Sequence, residues 1–309
     1  MHYSKDKELN ASRVLAILVR KRMKKLLLVL FVLTAFAANS ILCRIALKHG
    51  HADPQTFSML RLLGGAGVLF AWHLARGKVK EIRWKIIDAV LLCAYVLFFS
   101  LAYVQLNTAT GALLLFGAVQ VCMIGWGVIK GEKLSGVKAC GILIAVGGIV
   151  TLLLPGATAP PLFAAITMVA SGMAWGAYSV RGKNIKAPAG TTAGNFILGL
   201  PVILVWSLIR QAPVQIDASG ILLALLSGGL ASGVAYVLWY ALVATLSSAT
   251  ASTLQLSVPC IAAAGGGLFL GEVPDIRMLI CTLVVLAGIA MVIAADRKQR
   301  EKVKRNDFR

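Results

Sequence analysis

The sequence contains few charged residues, and it lacks the motifs on which most enzymatic chemistry depends. Only 14% of its residues are charged, against about a quarter in soluble domains. It has no phosphate-binding loop with a lysine, no His-Glu-x-x-His zinc helix and no aspartate-rich diphosphate site. Its six cysteines form no Cys-x-x-Cys pair, which argues against disulfides and zinc sites. We therefore expect a membrane protein that is not an enzyme and that requires no cofactor or metal.

Long apolar runs dominate the chain, in which 59% of the residues are hydrophobic. A helix needs roughly 20 apolar residues to cross a hydrocarbon core of about 30 Å. Ten runs meet this condition, at residues 26–47, 57–75, 86–105, 109–129, 137–154, 161–180, 192–210, 219–243, 249–270 and 276–295. The sequence thus predicts an all-α polytopic membrane protein with ten transmembrane helices.

The start of the chain allows a second interpretation. Lys24 and Lys25, the apolar run to Thr34 and the small residues Ala35 and Ala37 are also typical of a secretory signal peptide. Cleavage would leave nine spans, so we prefer an uncleaved first helix. Met23 is an alternative start of translation, and no function is assigned to the residues before it.

Basic residues far outnumber acidic ones, giving a net charge of +19. All but five of the 31 Lys and Arg residues lie in the two tails and in the connections near 76–85, 130–138 and 181–186. Ten spans place these segments on one side of the membrane. The positive-inside rule then predicts an inner (plasma) membrane protein with both termini in the cytoplasm, and it explains the charge without nucleic acid.

The chain also contains an internal repeat. Residues 106–112 (Leu-Asn-Thr-Ala-Thr-Gly-Ala) resemble residues 246–252 (Leu-Ser-Ser-Ala-Thr-Ala-Ser), and the same offset pairs Gly131-Glu132 with Gly271-Glu272. Each repeat holds five spans, an odd number, so the second enters the membrane from the opposite side. We predict inverted five-helix repeats at 26–154 and 161–295, an outer linker at 155–160, and basic cytoplasmic tails at 1–25 and 296–309.

Ordered motifs in the second half resemble those of a known family. They are residues 235–242 (Ala-Tyr-Val-Leu-Trp-Tyr-Ala-Leu), residues 249–252 (Ala-Thr-Ala-Ser), Leu254-Gln255, Pro259 and Gly271-Glu272. With Asn39, Arg44 and Arg61 in the first half, they make the chain similar to the EamA family of the drug/metabolite transporter superfamily over about residues 26–295. The chain differs from the family in two places. Phe36-Ala37 occurs where the family usually has Trp-Gly, and Val119 occupies the position of the first repeat that corresponds to Pro259 in the second. The resemblance implies a central site between the repeats, alternating access and metabolite export.

Two arginines, Arg44 and Arg61, lie inside predicted spans, where a charged side chain costs about 2.5–3.5 kcal/mol. They fall near the outer ends of consecutive helices, so together they are candidates to hold an anionic group. In the alternative interpretation each reaches the lipid headgroups or binds carbonyl groups at a helix end, with Asp53 nearby.

Amide and aromatic side chains complete the predicted substrate site. Its other members are Asn39, Tyr103, Gln120, Trp175, Tyr178, Trp239, Tyr240 and Gln255. Contacts between helices explain buried amides equally well, and core packing explains the aromatic residues. Glu132 and Glu272 occupy equivalent turns, and for them we predict structural roles in helix capping or in pairing between the repeats.

The twelve acidic residues lie in tails, connections or span ends, which disfavours proton coupling through a buried carboxylate. We expect a transporter, an exporter or exchanger, of small polar metabolites such as amino acids or related carboxylates. A carrier of sugar phosphates or nucleotide sugars, and a receptor or structural protein that transports nothing, are the alternatives. The expected partners are a small-molecule substrate and the lipid bilayer, in a monomer or homodimer.

Overall fold

The computed structural model describes residues 2–129, 131, 135–154, 159–182, 185, 187–211, 213–243, 254–255 and 257–307. The helices are α1 (His2–Lys48), α2 (Pro54–Ala75), α3 (Ile86–Tyr103), α4 (Thr108–Ile129), α5 (Gly136–Leu153), α6 (Leu162–Gly182), α7 (Pro188–Arg210), α8 (Ala218–Gly228), α9 (Ala235–Val243), α10 (Ser257–Leu270) and α11 (Ile276–Asp307). A π-helical segment, Gly229–Val234, joins α8 to α9, and Val79–Glu81 form a 3₁₀ turn.

The described helices agree with the predicted spans. Nine of them are long and apolar enough to cross a membrane, with α8, the π-helical segment and α9 counted as one. The tenth predicted span, 249–270, is represented by α10, and residues 249–253 lie outside the described part of the chain. One difference is at the start, where α1 begins at His2, so residues predicted as a tail continue the first helix.

Several helices begin where a side chain can accept hydrogen bonds from the free backbone N–H groups of the first turn. Asp53 accepts from the N–H groups of Gln55 and Thr56 ahead of α2. Asp217 and Asp275 cap α8 and α11 in the same way. These carboxylates are therefore engaged at helix ends.

The helices pack in an inverted order. If α1–α5 correspond to α6, α7, the α8–α9 unit, α10 and α11, contacts between the halves occur in matched pairs. Helix α3 packs on α6 as α8 packs on α1, α4 packs on α6 as α10 packs on α1, and α2 packs on α8 as α7 packs on α3. Equivalent helices also pair directly, α2 with α7, α4 with α10 and α5 with α11. This pattern is that of two inverted five-helix repeats, as the sequence predicted.

Glycine permits the closest of these helix contacts. A Cβ atom on Gly228 of α8 would lie 1.9 Å from the carbonyl oxygen of Arg61 on α2. A Cβ on Gly288 of α11 would lie 2.6 Å from the carbonyl oxygen of Gly141 on α5. Such approaches are typical of packing between transmembrane helices.

The two ends of the bundle have different connections. On what we call the 49–53 face, the N–H of Asp53 donates to the carbonyl of Gln215 and the N–H of Asp217 donates to the carbonyl of His51. The N–H of Gly220 and the His51 side chain lower the pKa of Asp217, so its carboxylate stays charged at neutral pH. At the other end of α2 lies the 76–85 face, where the N–H of Arg83 donates to the carbonyl of Gly190 at the start of α7.

Candidate functional site

The Arg61 side chain of α2 lies between α3, the π-helical segment and α9, and it has no exposed surface. Its Nη2 donates to the hydroxyl oxygens of Tyr95 (2.9 Å), Ser232 (3.1 Å) and Tyr236 (3.3 Å). Its Nε also donates to Ser232. The guanidinium carbon lies 5.1 Å from the ring centre of Tyr95 and 4.9 Å from that of Phe99. All of these partners are neutral.

One guanidinium nitrogen of Arg61, Nη1, is buried and has no hydrogen-bond partner among the described residues. An unsatisfied buried donor costs about 1–3 kcal/mol, and more when the group is charged. A buried cation without an anionic partner is also unusual, because the desolvation of the charge is then not repaid. Arg61 thus keeps one donor and a positive charge without a partner among the described residues.

A small cavity lies beside this arginine. Its volume is about 10 Å³, the space of a single water molecule. Its lining residues are contributed by α1, α3, α4, α6 and α9, and six of the eight are aromatic: Phe36, Asn39, Tyr95, Phe99, Leu115, Phe116, Trp175 and Tyr236. Because Tyr95, Phe99 and Tyr236 also contact Arg61, the cavity and the cation share one wall.

The aromatic rings form a continuous cluster across both repeats. The Trp175 ring centre lies 4.6 Å from that of Tyr236 and 4.9 Å from that of Tyr95. The Phe36 ring lies 5.6 Å from Trp239, and Trp175 lies 5.5 Å from Tyr178. Such spacings are those of interacting aromatic pairs. The rings leave a cavity with room for about one water molecule in this arrangement.

Asn39 of α1 connects the cavity to the π-helical segment. Its Nδ2 donates to the carbonyl of Ala231 at 2.7 Å, and its Oδ1 accepts from the hydroxyls of Ser227 (2.7 Å) and Ser232 (3.2 Å). Ser232 therefore contacts both Asn39 and Arg61. A π-helical turn leaves backbone groups without their usual partners and is often found at functional sites.

Arg44 does not share these partners. Its Nε donates to Glu272 at 2.9 Å, and its Nη1 donates to the carbonyls of Tyr103 and Val104. The second Glu272 oxygen accepts from the N–H of Thr108 at the start of α4. Arg44 and Glu272 thus join α1, the α3–α4 connection and the turn before α11 on the 49–53 face. The structure does not bring Arg44 and Arg61 together around one vacant site.

A second ion pair lies near the 76–85 face, where Arg181 of α6 donates to the buried Asp88 at the start of α3. Close to it, Asn195 donates to the hydroxyl of Tyr178. The Tyr240 side chain packs against Gly182 at the end of α6. Tyr178 and Tyr240 therefore lie on the side of Trp175 that faces Asp88.

The remaining predicted site residues have other surroundings. Tyr103 is buried, stacks on Phe99 and donates to the carbonyl of Thr108. Gln120 and Gln255 are buried but do not line the cavity, and Nε2 of Gln120 has no partner in the described structure. Glu132 lies outside the described residues, so its predicted role stays a prediction.

Comparison with known protein families gives the same result for both halves of the chain. Residues 23–154 and 162–294 each match the EamA-like transporter family. The chain belongs to this family.

An uncharacterized protein of Pseudomonas aeruginosa is 44% identical over 88% of the chain and 95% of its own length. A probable terminal-alkyne amino-acid exporter of Streptantibioticus cattleyicolor is 25% identical over 69% of the chain and 75% of its own length. A solved crystal structure, 19% identical, has a TM-score of 0.66 over 88% of the chain and 97% of its own.

An EamA-like transporter needs a binding site without catalytic groups, and the central residues fit that need. In the described part of the chain, no three His, Cys, Asp or Glu side chains group in a way that could hold a metal ion. The cavity offers one cation nearby, one amide and aromatic surface. This arrangement has the groups to bind and orient a small anion with an apolar body.

Of the residues that contact Arg61 or line the cavity, seven were not predicted as site residues: Phe36, Tyr95, Phe99, Leu115, Phe116, Ser232 and Tyr236. Tyr95 has a signal in the sequence, because it is a hydroxyl-bearing ring in the apolar span Ile86–Tyr103. Ser232 lies in a run of small residues that is typical of helix packing. Its role depends on the π-helical turn that directs it toward Arg61, and the sequence gives no sign of that turn.

Proposed function

We propose that this EamA-like transporter carries small polar metabolites, amino acids or related carboxylates, outward or in exchange by alternating access. The observation that supports this proposal most directly is the buried Arg61, whose described partners are all neutral. A carboxylate would supply the missing negative charge and a partner for Nη1. In a carrier, a cation without a partner has a use, because the substrate pairs with it only during part of the transport cycle.

The position of the cavity between helices of both repeats agrees with an alternating-access cycle. Helices of both repeats meet at the aromatic cluster, and ion pairs lie near both faces, Arg44 with Glu272 and Arg181 with Asp88. In the proposed cycle, one face opens while the other stays closed, and the site between the repeats becomes accessible from each side in turn. The name of the Streptantibioticus relative, an amino-acid exporter, supports the same class of substrate and the outward direction.

We further propose that the protein lies in the inner membrane with both termini in the cytoplasm. The basic segments at 76–85, 181–186 and the two chain ends support this orientation. The 49–53 face, with Arg44 and Glu272, would then be the outer face, and the 76–85 face would be cytoplasmic.

The test is a counterflow screen with purified protein in liposomes. Vesicles are loaded with pools of amino acids, carboxylates, sugar phosphates or nucleosides, and uptake of the matching radiolabel is followed with and without a pH gradient. We expect saturable exchange in a carboxylate-containing pool and no dependence on the gradient. Exchange confined to sugar phosphates would show that these, and not carboxylates, are the substrates. No exchange in any pool by well-folded protein would refute the transport proposal.

A further inference from the structure

The charges around the central site differ from those that a zwitterion would require. An amino acid presents a carboxylate and an ammonium group, and a site that binds both usually provides a counter-charge or hydrogen-bond acceptors for each. The Arg61 guanidinium is suited to the carboxylate. An ammonium group would need a carboxylate or a free hydrogen-bond acceptor in the described site.

The six acidic side chains that the structure describes between residues 23 and 295 are engaged elsewhere. Asp53, Asp217 and Asp275 cap helices. The other three form ion pairs: Glu81 with Lys78, Asp88 with Arg181 and Glu272 with Arg44. No carboxylate lines the cavity, and residues 244–253, which the structure does not describe, contain no Asp or Glu.

The neutral acceptors near the cavity are also occupied. Oδ1 of Asn39, the lining amide, already accepts from Ser227 and Ser232. The hydroxyl oxygens of Tyr95 and Tyr236 accept from Arg61. Among the described lining residues, aromatic faces are what remains, and the attraction of a cation to a ring is weaker than the cost of removing an ammonium group from water.

A positive ligand group would also meet the field of Arg61 itself. In the interior of a membrane protein, where water is scarce, like charges a few ångströms apart repel strongly. A carboxylate without an ammonium neutralises Arg61 and adds no second cation. The same aromatic surface that is unsuited to an ammonium suits the apolar body of such an acid.

We propose that the central site selects small carboxylic acids that have an apolar or aromatic body and no α-ammonium group, such as 2-hydroxy and 2-oxo acids, over the corresponding amino acids. This inference rests on the proposed transport function and narrows its substrate class. The selecting features are the unpaired Arg61 cation, the occupied amide of Asn39 and the absence of a carboxylate among the described lining residues.

The experiment uses ligands that share one carbon skeleton. Counterflow of radiolabelled 3-phenyllactate into liposomes with the wild-type protein is measured against unlabelled 3-phenylpropanoate, phenylalanine and 2-phenylethylamine. We expect 3-phenylpropanoate to compete at a concentration at least about tenfold below that of phenylalanine, a difference of 1.4 kcal/mol. The amine, which lacks a carboxylate, should not compete. The series is repeated with 4-methylpentanoate, leucine and 3-methylbutylamine and labelled 2-hydroxy-4-methylpentanoate.

Asp88 provides the control, because it is the nearest buried carboxylate in sequence to the site residue Tyr95. If Asp88 served the ammonium of an amino acid, Asp88→Asn would weaken competition by phenylalanine and leave that by 3-phenylpropanoate unchanged. We expect the ratio of the two to stay the same. Equal or stronger competition by the amino acids, or labelled exchange of amino acids alone, would overturn the selectivity while leaving transport intact. If no pool in the counterflow screen gave exchange, the proposed transport function itself would be refuted.

Discussion

At the scale of single residues, the account depends on one uncompensated cation. Arg61 is held by three hydroxyl groups and two aromatic rings, which fix its direction but leave its charge unpaired. Because Asn39 and Arg61 both bind the Ser232 hydroxyl, a charge introduced at position 39 would act on the guanidinium through a single intervening group.

Asn39→Asp is expected to reduce carboxylate exchange at least about tenfold, since an internal carboxylate would neutralise Arg61 and compete with the substrate. The measurement is the counterflow rate per folded protein, with yield followed by size-exclusion chromatography. Asn39→Ala is the matched control, because it removes the amide without adding charge and leaves the carbonyl of Ala231 without its partner. That loss costs about 1–3 kcal/mol and lowers thermal stability. Full exchange by Asn39→Asp would contradict the role of Arg61 as an anion site.

At the scale of the elements, close helix contacts and ion pairs, among them Arg44 with Glu272 and Arg181 with Asp88, hold the two repeats together. Gly228 allows α8 to touch the backbone of α2 at Arg61 itself. Arg44 and Glu272, which are 11% exposed, join α1 to the turn that precedes α11. Both features fix how neighbouring helices are placed relative to each other. For each, another residue or pair of this chain serves as a matched control.

Gly228→Ala should strongly reduce the yield of folded protein. Its Cβ would overlap a backbone oxygen that no side-chain rotation can move, and overpacking of this kind costs about 1–3 kcal/mol or more. Gly147→Ala in α5 is the control, because nothing lies within 4 Å of its added Cβ. Monodisperse yield in detergent measures both, and equal yields would show that α2 and α8 are not in close contact.

Arg44 and Glu272 should show strong coupling in a double-mutant cycle. We expect the losses of melting temperature in Arg44→Gln and Glu272→Gln to add up to more than the loss in the double variant, with a coupling of about 0.5–3 kcal/mol. Either single change breaks a largely buried ion pair, and in Arg44→Gln only the more exposed Lys48 remains near Glu272. The exposed pair Lys78 and Glu81 should give at most about 1 kcal/mol. Additive shifts at positions 44 and 272 would contradict the pairing.

The sequence predicted these elements better than it predicted the site. Apolar runs and the offset between the two halves were sufficient for the helices, since spanning length and orientation follow from hydropathy and charge. Arg61, Asn39 and Trp175 could be proposed from the sequence, because a charge, an amide or a large ring inside a span is conspicuous, and the structure places them at or beside the cavity. The separation of Arg44 from Arg61 was not predictable, because it depends on the distant Glu272. The neighbours of Arg61 depend on the rotation of α3 and on the π-helical turn.

At the scale of the whole molecule, charge asymmetry predicts the orientation. A C-terminal fluorescent-protein fusion should be fluorescent and a C-terminal alkaline phosphatase fusion inactive, because both ends of the chain are expected in the cytoplasm. Fusion of phosphatase after Gly50, in the 49–53 connection, should be active and serves as the control. An active C-terminal phosphatase would reverse the assignment of the two faces.

The most direct test of the central claim is the exchange of one carboxylate by the wild-type protein and by Arg61→Gln. Both are reconstituted at equal amounts of monodisperse protein, with Arg61→Lys as a variant that keeps the charge. We predict saturable exchange by the wild type, no measurable exchange by Arg61→Gln, and partial exchange by Arg61→Lys at a higher half-saturating concentration. Undiminished exchange by folded Arg61→Gln would show that this arginine is structural and that the substrate binds elsewhere.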